Sequence, residues 1–223
     1  MRSLSALIVA TCITGLLPRP LIGQVTESLP VASADREVPR IRVHAAVGVG
    51  EAYARQAVAI ARELLAGAGI AAAWSICVDV GCPIDEVRAA AIVVIFQAND
   101  PLRPGQCGRA ALGSGEGSGT VRVSVPCVAG ALARLRLHLD TGSHPLLDLS
   151  RHYDVAGAVV AHEVGHLLGL RHGPIGVMRE RLDRNDILAL RTHRLMFSQL
   201  DALAMQRSVA RAPGRARSVL ARR

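Results

Sequence analysis

The sequence predicts one mixed α/β domain: a layer of strands and helices followed by a mostly helical C-terminal part. Two patterns carry that expectation. The first half holds short Val- and Ile-rich runs with period-2 alternation, broken by glycines. Apolar residues at helical spacing occupy 51–67 and return after about residue 150.

In order along the chain, Ile41, Val43 and Ala45 alternate with Arg42 and His44 as a half-buried strand does, and Gly48 and Gly50 end it. Ala54, Ala57, Val58, Ala61, Leu64 and Leu65 form one stripe of a helix over 51–67, stopped at Gly67-Ala68-Gly69. A second strand follows at about 70–77. Ala89 to Phe96 is apolar throughout, the pattern of a strand buried on both faces. The glycine-rich stretch from Gly105 to Gly119 contains a candidate edge strand, Arg109 to Leu112, and Val121 to Val125 alternates again. Ala129 to Leu139 has a leucine stripe that predicts a helix, although its last residues also suit a strand. A long helix is expected from Ser150 or Asp154, either able to cap it, to Leu168. Ser198-Gln199-Leu200-Asp201 reads as a capping box opening a final helix to about Arg207. No internal repeat is present.

At 223 residues and 50% apolar composition, the chain is the size of one domain with a substantial core, which excludes a disordered protein. The net charge of +8 raises nucleic acid or an anionic membrane as partners. Against them, lysine is absent, and much of the excess lies in Arg207, Arg211, Arg215, Arg217, Arg222 and Arg223, with no acidic residue after Asp201. Residues 208–223 are therefore assigned as a solvated basic tail, and no nucleic-acid partner is expected.

Met1-Arg2 followed by the apolar stretch Leu4 to Leu17 reads as a secretory signal over 1–23, with cleavage as late as residue 34 an alternative. The stretch is shorter than the roughly 20 residues needed to span a bilayer. Residues 24–39 read as a linker or short pro-segment, and 40–207 as the folded domain. The expected location is secreted, periplasmic or in the cell envelope, and the expected state is a monomer. Removing the signal leaves Cys77, Cys82, Cys107 and Cys127, an even number that suggests two disulfides in an exported chain. Three pairings are open, and Cys77–Cys82 with Cys107–Cys127 is favoured. A cysteine zinc site is the competing use, but the spacings lack the tight C-x2-C signature.

The chemistry is concentrated in His162-Glu163-Val164-Gly165-His166-Leu167-Leu168-Gly169-Leu170-Arg171-His172, which fits H-E-x-x-H-x-x-G-x-x-H at every specified position. Residues four apart share a helix face, so His162 and His166 can aim two imidazoles at one ion. Gly169 can adopt the positive φ that ends the helix, and His172 then approaches from beyond it. Three neutral histidines leave one tetrahedral position open, as in a catalytic rather than a structural zinc site. Glu163 stands beside that position, where a general base is required. On an otherwise apolar helix these polar groups are costly to bury without a partner, and one Zn2+ is the simplest partner.

Together with Gly176-Val177-Met178, this motif resembles the metzincin clan of zinc peptidases, and matrixins and short exported bacterial relatives among them. The resemblance implies a mixed twisted sheet of about five strands with packed helices, a zinc-binding active-site helix, a turn with Met178 beneath the metal, and a C-terminal helix. It also implies a metalloendopeptidase whose peptide or protein substrate pairs with an edge strand, here Arg109, Ala110, Ala111, Leu112 and Gly113. Gly173 matches neither matrixins nor astacins, so no subfamily follows. No tyrosine after Met178 suggests an extra ligand, and the absence of cysteine from 24–39 excludes a matrixin-like cysteine switch there.

His44, His138, His144, His152 and His193 are expected away from the metal, with His152 and Tyr153 the nearest candidates for support behind a ligand. Asp140 and Asp148 could give oxygens to calcium, but the calcium motif is missing. Two other functions compete: a zinc-holding binding module without turnover, against which Glu163 counts, and a polyanion or membrane-surface binder working through the basic tail.

Overall fold

The computed structural model describes residues 39–45, 49–78, 91–99, 102–103, 105–114, 118–137 and 152–211. The signal segment, the linker to residue 38, Cys82, His138, Asp140, His144, Asp148 and Ser150 lie outside them, as do residues 212–223 of the tail.

Five strands form one sheet: β1 (Arg40–Ala45), β2 (Ala73–Val78), β3 (Ile92–Gln97), β4 (Gly108–Leu112) and β5 (Gly119–Ser124), in the order β2-β1-β3-β5-β4. The first four positions are parallel, and β4 closes the edge antiparallel to β5, with Gly108 opposite Val123 and Leu112 opposite Gly119. The mixed sheet is the fold class expected from sequence. Helix α1 (Glu51–Gly67) makes the β1 to β2 crossover and buries the predicted stripe, Ala54, Ala57, Val58, Ala61, Leu64 and Leu65. In the same core the sheet buries Ile41, Val43, Ile92, Val94, Phe96, Val121 and Val123.

The structure corrects several details. Strand β3 is fully buried only on alternate residues, whereas Val93 and Ile95 are half-buried, so its second face is not core as its composition suggested. Helix α2 (Val125–Leu137) begins directly at the end of β5, within the segment predicted to be strand, because Ser124 turns the chain there and its Oγ accepts the Cys127 N–H. The third helix, α3 (His152–Leu167), starts before Asp154, which is a buried first-turn residue rather than the cap.

Helix α4 (Arg184–Arg191) was not anticipated. It is short, and its signal is a capping box: Asp183 accepts the backbone N–H groups of Asn185 and Asp186, and the Asp186 carboxylate accepts the Asp183 N–H at 2.9 Å. The last helix, α5 (Gln199–Arg211), opens on the predicted box, with Ser198 and Asp201 bonded reciprocally. It runs beyond Arg207, so residues 208–211, assigned to the basic tail, are helical. No helix among the described residues is long and apolar enough to cross a membrane.

Candidate metal centre

Helix α3 lies deep in the molecule because its sequence is small and apolar on nearly every side. Val155, Ala156, Ala158, Val160, Ala161, Val164 and Leu167 are buried, and Gly157 lets it approach α1 until a Cβ there would meet Ile60 Cβ at 2.6 Å. His162 and His166 are left half-buried on the face that opens outward.

Gly169, with φ +89°, stops the helix as its sequence position predicts. Its N–H bonds the His166 carbonyl at 3.0 Å and the Leu170 N–H reaches back to the Gly165 carbonyl at 3.0 Å, a Schellman closure. The chain turned in this way carries exposed His172 to the other two histidines.

Three imidazoles then converge. Nε2 of His166 lies 3.0 Å from Nε2 of His162 and 3.2 Å from Nε2 of His172, and the three ligand atoms fall within 4.8 Å of one another. Nitrogens on a tetrahedral zinc with bonds of about 2.0–2.1 Å stand about 3.3 Å apart. The two separations from His166 match that spacing to within a few tenths of an ångström. The Nδ1 atoms settle which nitrogen faces inward: that of His162 bonds the Val177 carbonyl at 2.8 Å and that of His166 the Leu170 carbonyl at 2.9 Å. An Nδ1–H donated to a carbonyl leaves the Nε2 lone pair for the metal. Burial, with the neighbouring imidazoles adding to it, pushes His162 down to about 4, so this ring is neutral at pH 7.

Glu163 is buried at 8% exposure beside the cluster. Burial raises its carboxyl above the ordinary range, while the charge of His166 and a hydrogen bond from the Ala110 backbone N–H pull it back down. That N–H belongs to the outer side of β4. Cys107 O accepts from Ser124 N and Gly113 N donates to Ser118 O, so the odd-numbered residues face β5 and those of Gly108, Ala110 and Leu112 turn away from the sheet. The predicted edge strand thus holds the Glu163 carboxylate. Gly113 lies just past its end.

Beneath the histidines sits Met178, fully buried, with Gly165 of α3 facing it. The turn before it passes through Gly176 at φ +72°, and the Val177 N–H is held by the Met196 carbonyl at 3.1 Å. A Gly173 N–H to Met178 carbonyl bond of 2.8 Å ties the turn to the residue after His172. Arg179 follows, its guanidinium on Asp183 at 2.5 Å and Asp186 at 2.9 Å.

His44, His152 and His193 lie outside the cluster, and His193 faces Glu63 at 2.6 Å. Cys107 and Cys127 form a disulfide with Cα atoms 5.1 Å apart. Cys77 is also disulfide-bonded, and the expected partner Cys82 lies outside the described residues. The calcium candidates lie outside that set too. Sequence reasoning missed the Val177 and Leu170 carbonyls, whose role depends on backbone direction alone, and Gly108, whose neighbour in space is Glu163.

Residues 84–173 match the model of the reprolysin-like metallopeptidase family M12B, a span that ends just beyond His172. No curated protein matches the chain. Similar solved structures include the following two. Archaemetzincin from Methanopyrus kandleri is 17% identical, with 78% of this chain and 97% of that chain covered and a TM-score of 0.47. A zinc-dependent peptidase from Methanocorpusculum labreanum is 16% identical, with 74% of this chain and 99% of that chain covered and a TM-score of 0.41. The similarity to that metallopeptidase family thus spans the motif, whose three imidazoles are placed to hold a zinc ion.

Proposed function

We propose that the protein is a zinc metallopeptidase of the metzincin clan, an endopeptidase in which Glu163 is the general base. The observation that carries the reading is the buried Glu163 carboxylate, fixed by Ala110 next to three metal-directed Nε2 atoms. Zinc at those imidazoles supplies a Lewis acid that polarises the scissile carbonyl and makes a water acidic. Glu163 takes the proton of the attacking water and delivers it to the leaving amine.

An extended peptide pairs along the outer side of β4, where the backbone groups of Gly108 and Leu112 and the Ala110 carbonyl point outward. A strand edge is open at both ends, which favours cleavage inside a chain over trimming of termini. Export is supported by the apolar N-terminal segment from Leu4 to Leu17 and by the Cys107–Cys127 disulfide, a bond typical of oxidising compartments. The proposed working form is a monomer outside the cytoplasm.

The test is to measure zinc per chain in the purified mature domain and to digest a mixed library of peptides blocked at both ends, with Glu163→Ala alongside. Internal cuts by wild type and none by the variant at equal zinc support the reading. A zinc-loaded wild type that cuts nothing leaves a zinc-holding module without turnover.

A further inference from the structure

The place of Glu163 depends on a glycine in another element. We propose that Gly108, the first residue of β4, is a positioning residue for Glu163: the space where its side chain would stand is the space the carboxylate occupies. This rests on the reading of Glu163 as the general base.

A Cβ on Gly108 would lie 2.5 Å from Oε1 and 2.8 Å from Cγ of Glu163, and 2.5 Å from Cγ1 of Val159. Carbon atoms in ordinary contact stand about 3.5–4.0 Å apart. Val159 and Glu163 are one turn apart on the same face of α3, so the bare edge of Gly108 fits between them. Gly108 is not among the positive-φ glycines, so the requirement is for space and not for a special backbone.

Neither backbone can retreat. The residue before Gly108 is cross-linked to Cys127 at the start of α2, and its carbonyl accepts the Ser124 N–H at 2.9 Å. Gly108 itself is in register with Val123, which is fully buried in the core. On the other side, α3 already touches α1 at Gly157 with no room behind it. A side chain at 108 therefore has to displace the two side chains it meets, Val159 and the Glu163 carboxylate. Swinging aside, the carboxylate leaves the Ala110 N–H two residues along the same strand. The three atoms nearest to a Cβ at 108 belong to Glu163 and Val159 and none to a histidine, so the metal stays while the base is displaced.

Three variants test this: Gly108→Ala, Gly108→Ala combined with Val159→Ala, and Glu163→Ala. The double variant removes the contact with Cγ1 of Val159 and keeps the one with Glu163, so it separates packing from positioning. Zinc content, kcat and KM, and hydrogen exchange at the Ala110 amide are measured for each. The expected result in both Gly108 variants is wild-type zinc and a kcat lowered about a hundredfold, the size of effect that a misplacement of about 1 Å produces. KM should stay within about threefold. The Ala110 amide should exchange as fast as in Glu163→Ala.

A folded double variant with wild-type kcat, or with wild-type protection at Ala110, overturns the proposal. Failure of both Gly108 variants to fold overturns it too, because Gly108 would then serve the packing of β4 on α3. If zinc-loaded wild type cuts no peptide, it is the endopeptidase reading that fails, and the Ala110 exchange still decides the role of Gly108.

Discussion

Gly165 of the zinc-binding helix faces Met178 so closely that a Cβ at 165 would lie 2.6 Å from the methionine sulfur. The residue before His166 is thereby packed on the floor of the site, and the same floor carries the Val177 carbonyl that orients His162. Enlarging Gly165 to alanine is expected to cost about 1–3 kcal/mol, the usual range for overpacking. Because the strain falls next to two ligands, zinc affinity should fall with it. Chelator competition and thermal unfolding measure the two effects. A fall in stability with unchanged affinity would separate the methionine from the metal.

Met178 is fully buried, so truncation leaves a cavity. Met178→Ala should destabilise by about 2–5 kcal/mol, and Met178→Leu by less than about 1.5 kcal/mol. Urea midpoints of the zinc-loaded proteins give both values.

The Cys107–Cys127 bond closes a loop with a sequence separation of 20. Replacing both cysteines by alanine should cost about 3 kcal/mol by restoring freedom to the unfolded chain. It also frees the strand that holds Glu163, so kcat should fall while zinc stays bound. Unfolding midpoints and steady-state kinetics of the double alanine variant test this.

Asp183 caps α4, and its carboxyl is held below its ordinary value of 3.8 by the Asp186 N–H first, then by the Arg179 guanidinium and the Asn185 N–H. A carboxyl depressed by folding stabilises the protein above its unfolded pKa and loses that contribution as pH falls through the folded one. Asn caps a helix as well as Asp does, so Asp183→Asn removes the charge and keeps the cap. Wild type should be the more stable above about pH 4, and the gap should close at lower pH. Parallel acid unfolding of the two proteins reads this out; a gap independent of pH would mean that the charge is not involved.

Much of the site was legible because its rules are local. The spacing of His162 and His166 fixes a shared helix face, Gly169 ends the helix by its own backbone freedom, and the Ser198–Asp201 box is a four-residue pattern. Helix α4 escaped because it is short and its cap uses Asp186 where a capping box usually has Glu or Gln. The second face of β3 was misjudged because composition alone does not say whether another layer covers it. Gly108 could not be read at all. Its meaning is a contact with Val159 and Glu163, on an element far along the chain, and a glycine beside Cys107 in a glycine-rich stretch has many simpler explanations.

The central claim is a zinc peptidase whose proton transfer belongs to Glu163. The most direct measurement is single-turnover cleavage of one internal peptide bond by wild type and Glu163→Ala loaded with equal zinc. A loss of about 10²–10⁴ in rate at unchanged zinc content is the expected result. Cleavage by Glu163→Ala at the wild-type rate would contradict it.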